Sequence, residues 1–180
     1  TAMTLTALPV SEFFISTGAA AEGVPSGFAY TQGTRFMLDG SPFYYAGTNC
    51  YYLTFKPQEA VDNVFKDAEA MGLKVIRVWG NLDVGVKTGT TDTNGYQVFT
   101  NNNDGSGEKD GIYFQYFDKA LGKPVTNFGE DGVKKLDYAL YQAEKHGMKL
   151  LITFTNYWDA FGGMGQYIKW AQELGITGLK

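Results

Sequence analysis

The stretch Lys-Val-Ile-Arg-Val-Trp-Gly, residues 74–80, decides the fold of this chain. Its three branched apolar residues predict a short strand buried on both faces. Arg77 and Trp79 stand at the carboxyl end of that strand, where α/β proteins place their ligand sites. A guanidinium supplies fixed hydrogen-bond donors, and an indole supplies a flat apolar face. Together they suit a flat, hydroxyl-rich ligand such as a sugar.

Strand and helix patterns alternate on either side of this stretch. The predicted order is a strand at 43–48, a helix at 57–71, strands at 74–79 and 149–155, with a helix at 131–146 between them, and a last helix at 164–174. This order predicts parallel strands joined by right-handed crossovers. Residues 28–39, followed by the turn signal Gly-Ser-Pro, predict a small hairpin before the first main strand. Residues 81–129 are rich in Gly, Asn, Thr and Asp, and we interpret them as a long ordered loop held by apolar anchors.

Three parallel strands make a poor independent sheet because both of its edges stay open. We therefore expect an α/β fold in which this chain supplies an N-terminal hairpin and about the first three β/α units of a (β/α)8 TIM barrel. Residues 27–180 would form that N-terminal part of a catalytic domain. Residues 1–26 are interpreted as a leader, a pro-segment or a remnant of the expression vector.

Composition excludes several classes of function. A net charge of −4 provides no basic field for nucleic acid or an anionic membrane, and there is no run of 18 apolar residues. A single cysteine, Cys50, and a single histidine, His146, make a metal cluster improbable, and no cofactor is expected. Cys50 is predicted to be a buried small hydrophobe, and His146 to lie in the last turn of a helix.

Five segments carry a resemblance to a known family. They are Gly-Ser-Pro-Phe-Tyr-Tyr-Ala-Gly-Thr-Asn (40–49), Gly-Leu-Lys-Val-Ile-Arg-Val-Trp-Gly (72–80), Gly-Ile-Tyr-Phe-Gln (111–115), Gly-Glu-Asp-Gly-Val-Lys-Lys-Leu-Asp-Tyr (129–138) and Phe-Thr-Asn-Tyr-Trp-Asp-Ala-Phe-Gly-Gly-Met (154–164). In order and spacing they resemble the fungal and plant endo-β-1,4-mannanases of glycoside hydrolase family 5. The resemblance runs from about residue 28 to residue 170 and implies a (β/α)8 barrel.

The resemblance also implies the chemistry. Members of this family cleave β-1,4-mannosidic bonds with retention, using two glutamates about 5–5.5 Å apart as acid/base and nucleophile. Those glutamates lie at the ends of the fourth and seventh barrel strands, which this chain does not contain. Glu130, Glu144 and Glu173 match neither catalytic motif. No catalytic glutamate is therefore expected within this chain, and the isolated 180 residues are expected to be inactive.

Arg77, Trp79 and Trp158 are the stronger site residues that the resemblance implies. Arg77 matches the arginine that holds the nucleophilic glutamate, and its alternative is a structural ion pair in the barrel wall. Trp79 matches a tryptophan lining the cleft, and Trp158 resembles a loop indole that carries sugar rings. The alternative for Trp158 is a loop aromatic ring held by its own packing.

Asn49, Asn156 and Tyr157 complete the implied substrate-binding set. Asn49 and Asn156 follow the first and third main strands, at the same face of the barrel. Tyr157 stands where many relatives have asparagine.

Three functions remain open on the sequence. The first is a secreted, extracellular endo-β-1,4-mannanase acting on mannan, galactomannan, glucomannan or manno-oligosaccharides, with the remaining half of the barrel as the partner of this segment. The second is a non-catalytic mannan-binding fragment. The third is an exo-acting β-mannosidase or another β-glycanase of the same family.

Overall fold

The computed structural model describes residues 23–86, 112–157 and 161–178. The chain divides into two compact units, residues 1–44 and residues 45–180. Of residues 1–26, which were predicted to be a leader, only residues 23–26 are described.

The first unit is a three-stranded antiparallel sheet in the order β1–β2–β3. Its strands are β1 at Ala29–Gln32, β2 at Arg35–Leu38 and β3 at Ser41–Pro42. The turn between β2 and β3 consists of Asp39 and Gly40, which have φ angles of 48° and 79°. Two successive positive φ angles are those of a tight two-residue hairpin turn, for which Asp-Gly is a favoured pair. The predicted hairpin is confirmed, but Ser41 and Pro42, predicted as part of its turn, form β3 instead.

The second unit contains the alternating strands and helices. Its elements are β4 (Gly47–Asn49), α1 (Gln58–Ala70), β5 (Val75–Trp79), β6 (Asp83–Val86), β7 (Gln115–Asp118), β8 (Lys123–Thr126), α2 (Lys134–Lys145), β9 (Lys149–Thr153) and α3 (Gly163–Glu173).

A parallel sheet in the order β4–β5–β9 forms the centre of this unit. In its register Gly47 lies beside Val75, and Val75 lies beside Lys149. Parallel strands with helical crossovers are thus confirmed for the described residues. The first strand is shorter than predicted, because it begins at Gly47 and not at residue 43.

The two faces of the parallel sheet differ sharply in burial. Ile76 and Val78 are fully buried, in one apolar cluster with residues of α1 and α2. On the opposite face Arg77 is exposed, and its register neighbour Leu151 is 48% exposed. Val75, Ile76 and Val78, on which the prediction of a buried strand rested, are all buried, but on the face of Val75 the burial ends at Arg77, because in the described residues the helices cover only the other face.

α1 packs through the stripe that the sequence indicates, whereas Leu140, expected to face inward on α2, is 44% exposed and Ala139 is buried in its place. α1 buries Val61, Phe65 and Ala68, which recur at helical spacing. Gly72 and Gly147 follow α1 and α2 with φ angles of 71° and 63°, a left-handed conformation that favours glycine. Among the described residues, no helix has the length and apolar character needed to cross a membrane.

A second small sheet replaces part of the predicted long loop. Its order is β6–β7–β8, with β6 and β7 parallel and β7 and β8 antiparallel. Ile112, Phe114 and Phe117 are buried, as anchors of this region were predicted to be. The interpretation of residues 81–129 as a loop is wrong for these strands. Each strand is only four residues long, and the polar residues around it weaken the strand signal in the sequence. The anchors predicted at Tyr96, Val98 and Phe99 lie outside the described residues.

Candidate functional site

The carboxyl ends of the parallel strands gather the predicted site residues at one edge of the sheet. Asn49 ends β4 and is the register partner of Arg77, and Trp79 ends β5 and is the register partner of Thr153. Asn156 follows β9 by three residues. Because parallel strands place their carboxyl ends at the same edge, this edge is the place where an α/β fold binds its ligand.

Trp79 is held by two aromatic rings that also contact each other. Its ring centroid lies 5.2 Å from that of Tyr51 and 4.5 Å from that of Phe161, the latter in an edge-to-face arrangement. The buried Thr54 hydroxyl donates a hydrogen bond of 2.8 Å to the Trp79 carbonyl oxygen. Aromatic pairs at these distances favour edge contacts that orient the ring. The half-buried indole is therefore fixed in orientation and keeps part of its surface accessible.

Arg77 lies on the uncovered face of the sheet, beside Asn49 and Leu151. Its side chain is exposed, and no ion pair joins it to a carboxylate within the described part of the chain. The structural alternative for Arg77 thus has no partner carboxylate among these residues. An unpaired guanidinium is tolerated here because water reaches it, so no burial of charge has to be compensated.

Asn156 and Tyr157 follow the third strand of the parallel sheet. Both amide atoms of the half-buried Asn156 lack a hydrogen-bond partner among the described residues, whereas Tyr157 is 78% exposed. A sequestered amide without partners costs about 1–3 kcal/mol, so Asn156 retains unused capacity for hydrogen bonds. Trp158 lies outside the described residues.

A buried acid that the sequence analysis missed lies just beyond the same edge. Asp83, the first residue of β6, is 4% exposed. Its Oδ2 accepts a hydrogen bond of 2.9 Å from the Tyr167 hydroxyl, which itself accepts one of 2.9 Å from Gln115 Nε2. Burial raises the pKa of Asp83 to about 7, although the Tyr167 hydrogen bond acts in the opposite direction. The sequence signal for this buried acid was its position between two apolar residues, Leu82 and Val84. It was missed because residues 81–129 were interpreted as a loop.

Gly162 brings the segment before α3 into contact with Asp83. Its φ angle is 84°, and a Cβ built on it would lie 2.3 Å from the Asp83 carbonyl oxygen. Only glycine fits such an approach, since any side chain would both clash and strain the backbone. The preceding residue, Phe161, is thereby placed in contact with the Trp79 ring.

The three glutamates that were considered in the sequence are exposed and lie outside the strands of the parallel sheet. Glu130 precedes α2 and forms an exposed ion pair of 2.6 Å with Lys134. Glu144 and Glu173 lie exposed in α2 and α3. In the described ranges, no group of three or more His, Cys, Asp or Glu side chains is arranged to hold a metal ion.

The other two single residues behave as the sequence predicts. Cys50 is buried in the main apolar cluster, and burial raises the pKa of its thiol. His146 caps the end of α2 and lies with its Nδ1 2.7 Å from Glu69 Oε2 of α1. Trp170 is buried in α3, as a residue of the core and not of the site.

Comparison with known proteins gives matches over most of the chain. Residues 26–177 match the family described as GH family 5 beta-mannosidase-like. Mannan endo-1,4-beta-mannosidase F of Aspergillus clavatus is 42% identical over 153 residues, which are 83% of this chain and 31% of that protein. Mannan endo-1,4-beta-mannosidase A of Emericella nidulans is 41% identical over 143 residues, which are 79% of this chain and 32% of that protein.

A solved structure gives the same result in three dimensions. The endo-1,4-beta-mannanase from Rhizomucor miehei superposes with a TM-score of 0.61 at 33% identity, covering 82% of this chain and 34% of that one. The chain therefore spans about a third of the length of the relatives it matches. The resemblance seen in the sequence is confirmed: this chain belongs to the β-mannosidase-like branch of glycoside hydrolase family 5.

Proposed function

We propose that the protein containing this chain is an endo-β-1,4-mannanase that hydrolyses mannan, galactomannan or glucomannan with retention. The observation that carries the proposal is the edge where Asn49, Arg77 and Trp79 meet at the ends of parallel strands. Relatives about 40% identical over most of this chain are named mannan endo-1,4-β-mannosidases, which supports the same substrate class.

The proposed roles follow from the chemistry of each side chain. Arg77 donates hydrogen bonds to the nucleophilic glutamate and keeps it ionised, since a guanidinium lowers the pKa of a neighbouring carboxyl. Trp79 offers its accessible surface to the C–H face of a mannosyl ring. Asn49 and Asn156 supply amides that bind sugar hydroxyls, and Tyr157 and Trp158 line the minus subsites.

We further propose that residues 27–180 are the N-terminal part of a (β/α)8 barrel. Strands β4 and β9 are the edges of the described parallel sheet, and its uncovered face exposes Leu151. Further strands that pair with both edges would close the sheet and bury that face, as a barrel does. The catalytic glutamates would come from those strands, so their partnership with Arg77 requires the complete barrel.

An extracellular location follows from the proposed substrate. Mannan is a polymer that does not cross a membrane, so an enzyme that cleaves it internally has to meet it outside the cell. We therefore propose that the protein is secreted.

The test compares hydrolysis by the full-length protein and by its Arg77→Ala variant. We expect release of reducing ends from linear β-1,4-mannan and much less from cellulose. Arg77→Ala should lower kcat by about 100-fold, the usual effect of removing one preorganised donor from an active site. Arg35→Ala is the matched control, because Arg35 is an exposed arginine of the first unit, in β2.

Three results would contradict parts of the proposal. Binding of mannan without hydrolysis would favour the non-catalytic alternative. Stronger hydrolysis of cellulose than of mannan would change the substrate. Full activity of a folded Arg77→Ala variant would remove the role assigned to that arginine.

A further inference from the structure

Two chains of hydrogen bonds in this molecule use the same three residue types in the same order. In the first, Gln115 Nε2 donates to the Tyr167 hydroxyl over 2.9 Å, and that hydroxyl donates to Asp83 Oδ2 over 2.9 Å. We call this set the inner triad. It connects β7, α3 and β6.

The second chain is the outer triad. Gln142 Nε2 donates to the Tyr138 hydroxyl over 2.9 Å, and that hydroxyl donates to Asp62 Oδ1 over 2.6 Å. It connects α2 to α1, on the helix side of the parallel sheet. The two triads therefore form a natural pair of site and control.

The inner triad is joined to the candidate sugar-binding surface by direct contacts. Gly162 lies directly against the backbone of Asp83, and the Asp83 side chain accepts the hydrogen bond from Tyr167 of α3. Phe161, next to Gly162, is 1% exposed and meets the Trp79 indole edge-to-face at 4.5 Å. A shift of Asp83 relative to α3 would therefore move the ring that sets the orientation of Trp79.

We propose that Asp83 and Tyr167 are positioning residues for the sugar-binding face of Trp79. Their hydrogen bond holds the Phe161–Gly162 turn against β6, and Phe161 in turn fixes the indole. Neither residue touches the sugar. The sugar part of this inference rests on the proposed function, in which Trp79 contacts a mannosyl ring.

The outer triad makes no such connection. Asp62, Tyr138 and Gln142 lie on α1 and α2. The Tyr138 ring contacts the ring of Tyr141, an exposed residue of the same helix. Loss of the Tyr138 hydroxyl should weaken the packing of the two helices without reorienting Trp79.

The first measurement needs no ligand. In the ¹⁵N-labelled full-length protein, the indole Nε1–H resonance of Trp79 is assigned by its disappearance in Trp79→Phe. We expect Tyr167→Phe to shift or broaden this resonance and Tyr138→Phe to leave it in place. Asp83→Asn should keep it close to the wild-type position, because the amide oxygen still accepts the tyrosine hydrogen bond.

The second measurement is steady-state hydrolysis of manno-oligosaccharides at a temperature where every variant is folded. Tyr167→Phe should raise KM by about tenfold, which corresponds to the free energy of about one hydrogen bond. The change in kcat should be smaller. Tyr138→Phe should leave KM unchanged. If Tyr167→Phe does not fold, Gln115→Met is compared with Gln142→Met, and a smaller change in the same direction is expected.

The two measurements separate the two claims. An unmoved Trp79 resonance in folded Tyr167→Phe, or equal effects of the inner and outer variants, would overturn the positioning role. An unchanged KM together with a moved resonance would overturn its link to the sugar. A protein whose Trp79 resonance moves as expected but which does not act on mannan would overturn the proposed function and leave the positioning role of the inner triad standing.

Discussion

The inner and outer triads contain the same side chains but lie in different surroundings. Asp83 is almost completely buried, whereas Asp62 and Tyr138 are only half-buried. Burial is the main cause that raises the pKa of Tyr167, and the hydrogen bond to Asp62 is the main cause that raises the pKa of Tyr138. Each triad thus has one buried member, which is the carboxyl of Asp83 in the inner triad and the amide of Gln142, 3% exposed, in the outer triad.

This difference shows that the environment, and not the residue types, decides what such a triad does. In the interior, a hydrogen bond is stronger and an unpaired polar group is costly, so a small movement is resisted. At the solvent boundary, water replaces a lost partner at little cost. We therefore expect a change at Asp83 to exceed the matching change at half-buried Asp62, because the Asp83 carboxyl is the buried one.

The largest expected loss of stability comes from adding a side chain at Gly162, which lies against the backbone of Asp83. Gly162→Ala places a Cβ 2.3 Å from the Asp83 carbonyl oxygen, at a φ angle of 84°. We expect a loss of about 3–5 kcal/mol in the free energy of unfolding, from the clash and the left-handed backbone together. Urea denaturation of the full-length protein measures this loss.

Gly147→Ala is the matched control for this change. Gly147 follows α2 with a φ angle of 63°, and a Cβ there would meet nothing within 4 Å. Its replacement should cost only the backbone strain, about 1–2 kcal/mol. Equal losses at the two glycines would contradict the tight contact with Asp83.

The second prediction concerns pH. The folded-state pKa of Asp83 is about 7, above its ordinary value of 3.8, so between these values the folded protein holds a proton that the unfolded chain has released. The contribution of Asp83 to stability is therefore fully present below about pH 4 and declines as pH rises to about 7. The slope is at most about 1.4 kcal/mol per pH unit.

Asp83→Asn should abolish this decline, and Asp62→Asn should retain it. The variants are compared by urea denaturation at several values between pH 4.5 and 7.5. With rising pH, the stability of Asp83→Asn should increase relative to the wild type. A difference that stays constant across this range would show that Asp83 does not titrate there in the folded state.

The smallest expected effect separates the two tyrosines. Tyr167→Phe leaves buried Asp83 and the Gln115 amide without their shared partner, which should lower stability by about 1–3 kcal/mol. Tyr138→Phe leaves Gln142, 3% exposed, without the partner of its Nε2, but half-buried Asp62 can be hydrated, so the loss should be about 1 kcal/mol. Thermal and urea unfolding of the two variants measure this difference. A larger loss for Tyr138→Phe would reverse the ranking of the triads.

The main elements of the fold could be predicted from local patterns. The stripe of Val61, Phe65 and Ala68 predicts α1, and the Gly residues that follow α1 and α2 predict their ends. The strand around Ile76 is likewise confirmed, because its apolar run has no polar interruption on the helix side. These signals depend on neighbours within one or two turns of chain, which is why they can be read without tertiary information.

The candidate site could be predicted in part. Asn49, Arg77 and Trp79 were expected at one edge because parallel strands align their carboxyl ends, and the structure places them there. The roles of these residues, and those of Asn156, Tyr157 and Trp158, stay predictions. The inner triad could not be predicted, since its members are separated by up to 84 positions and contact each other only through folding.

By itself, the sequence determined the alternation of strands and helices, the edge on which Arg77 and Trp79 lie, and the family to which the chain belongs. Only the tertiary structure decided which face of the central sheet the two helices cover, and that Asp83 is buried against Tyr167 and Gly162. The reason is physical. Periodicity records which side of an element is apolar, whereas the burial of a single polar group depends on which distant segments close over it.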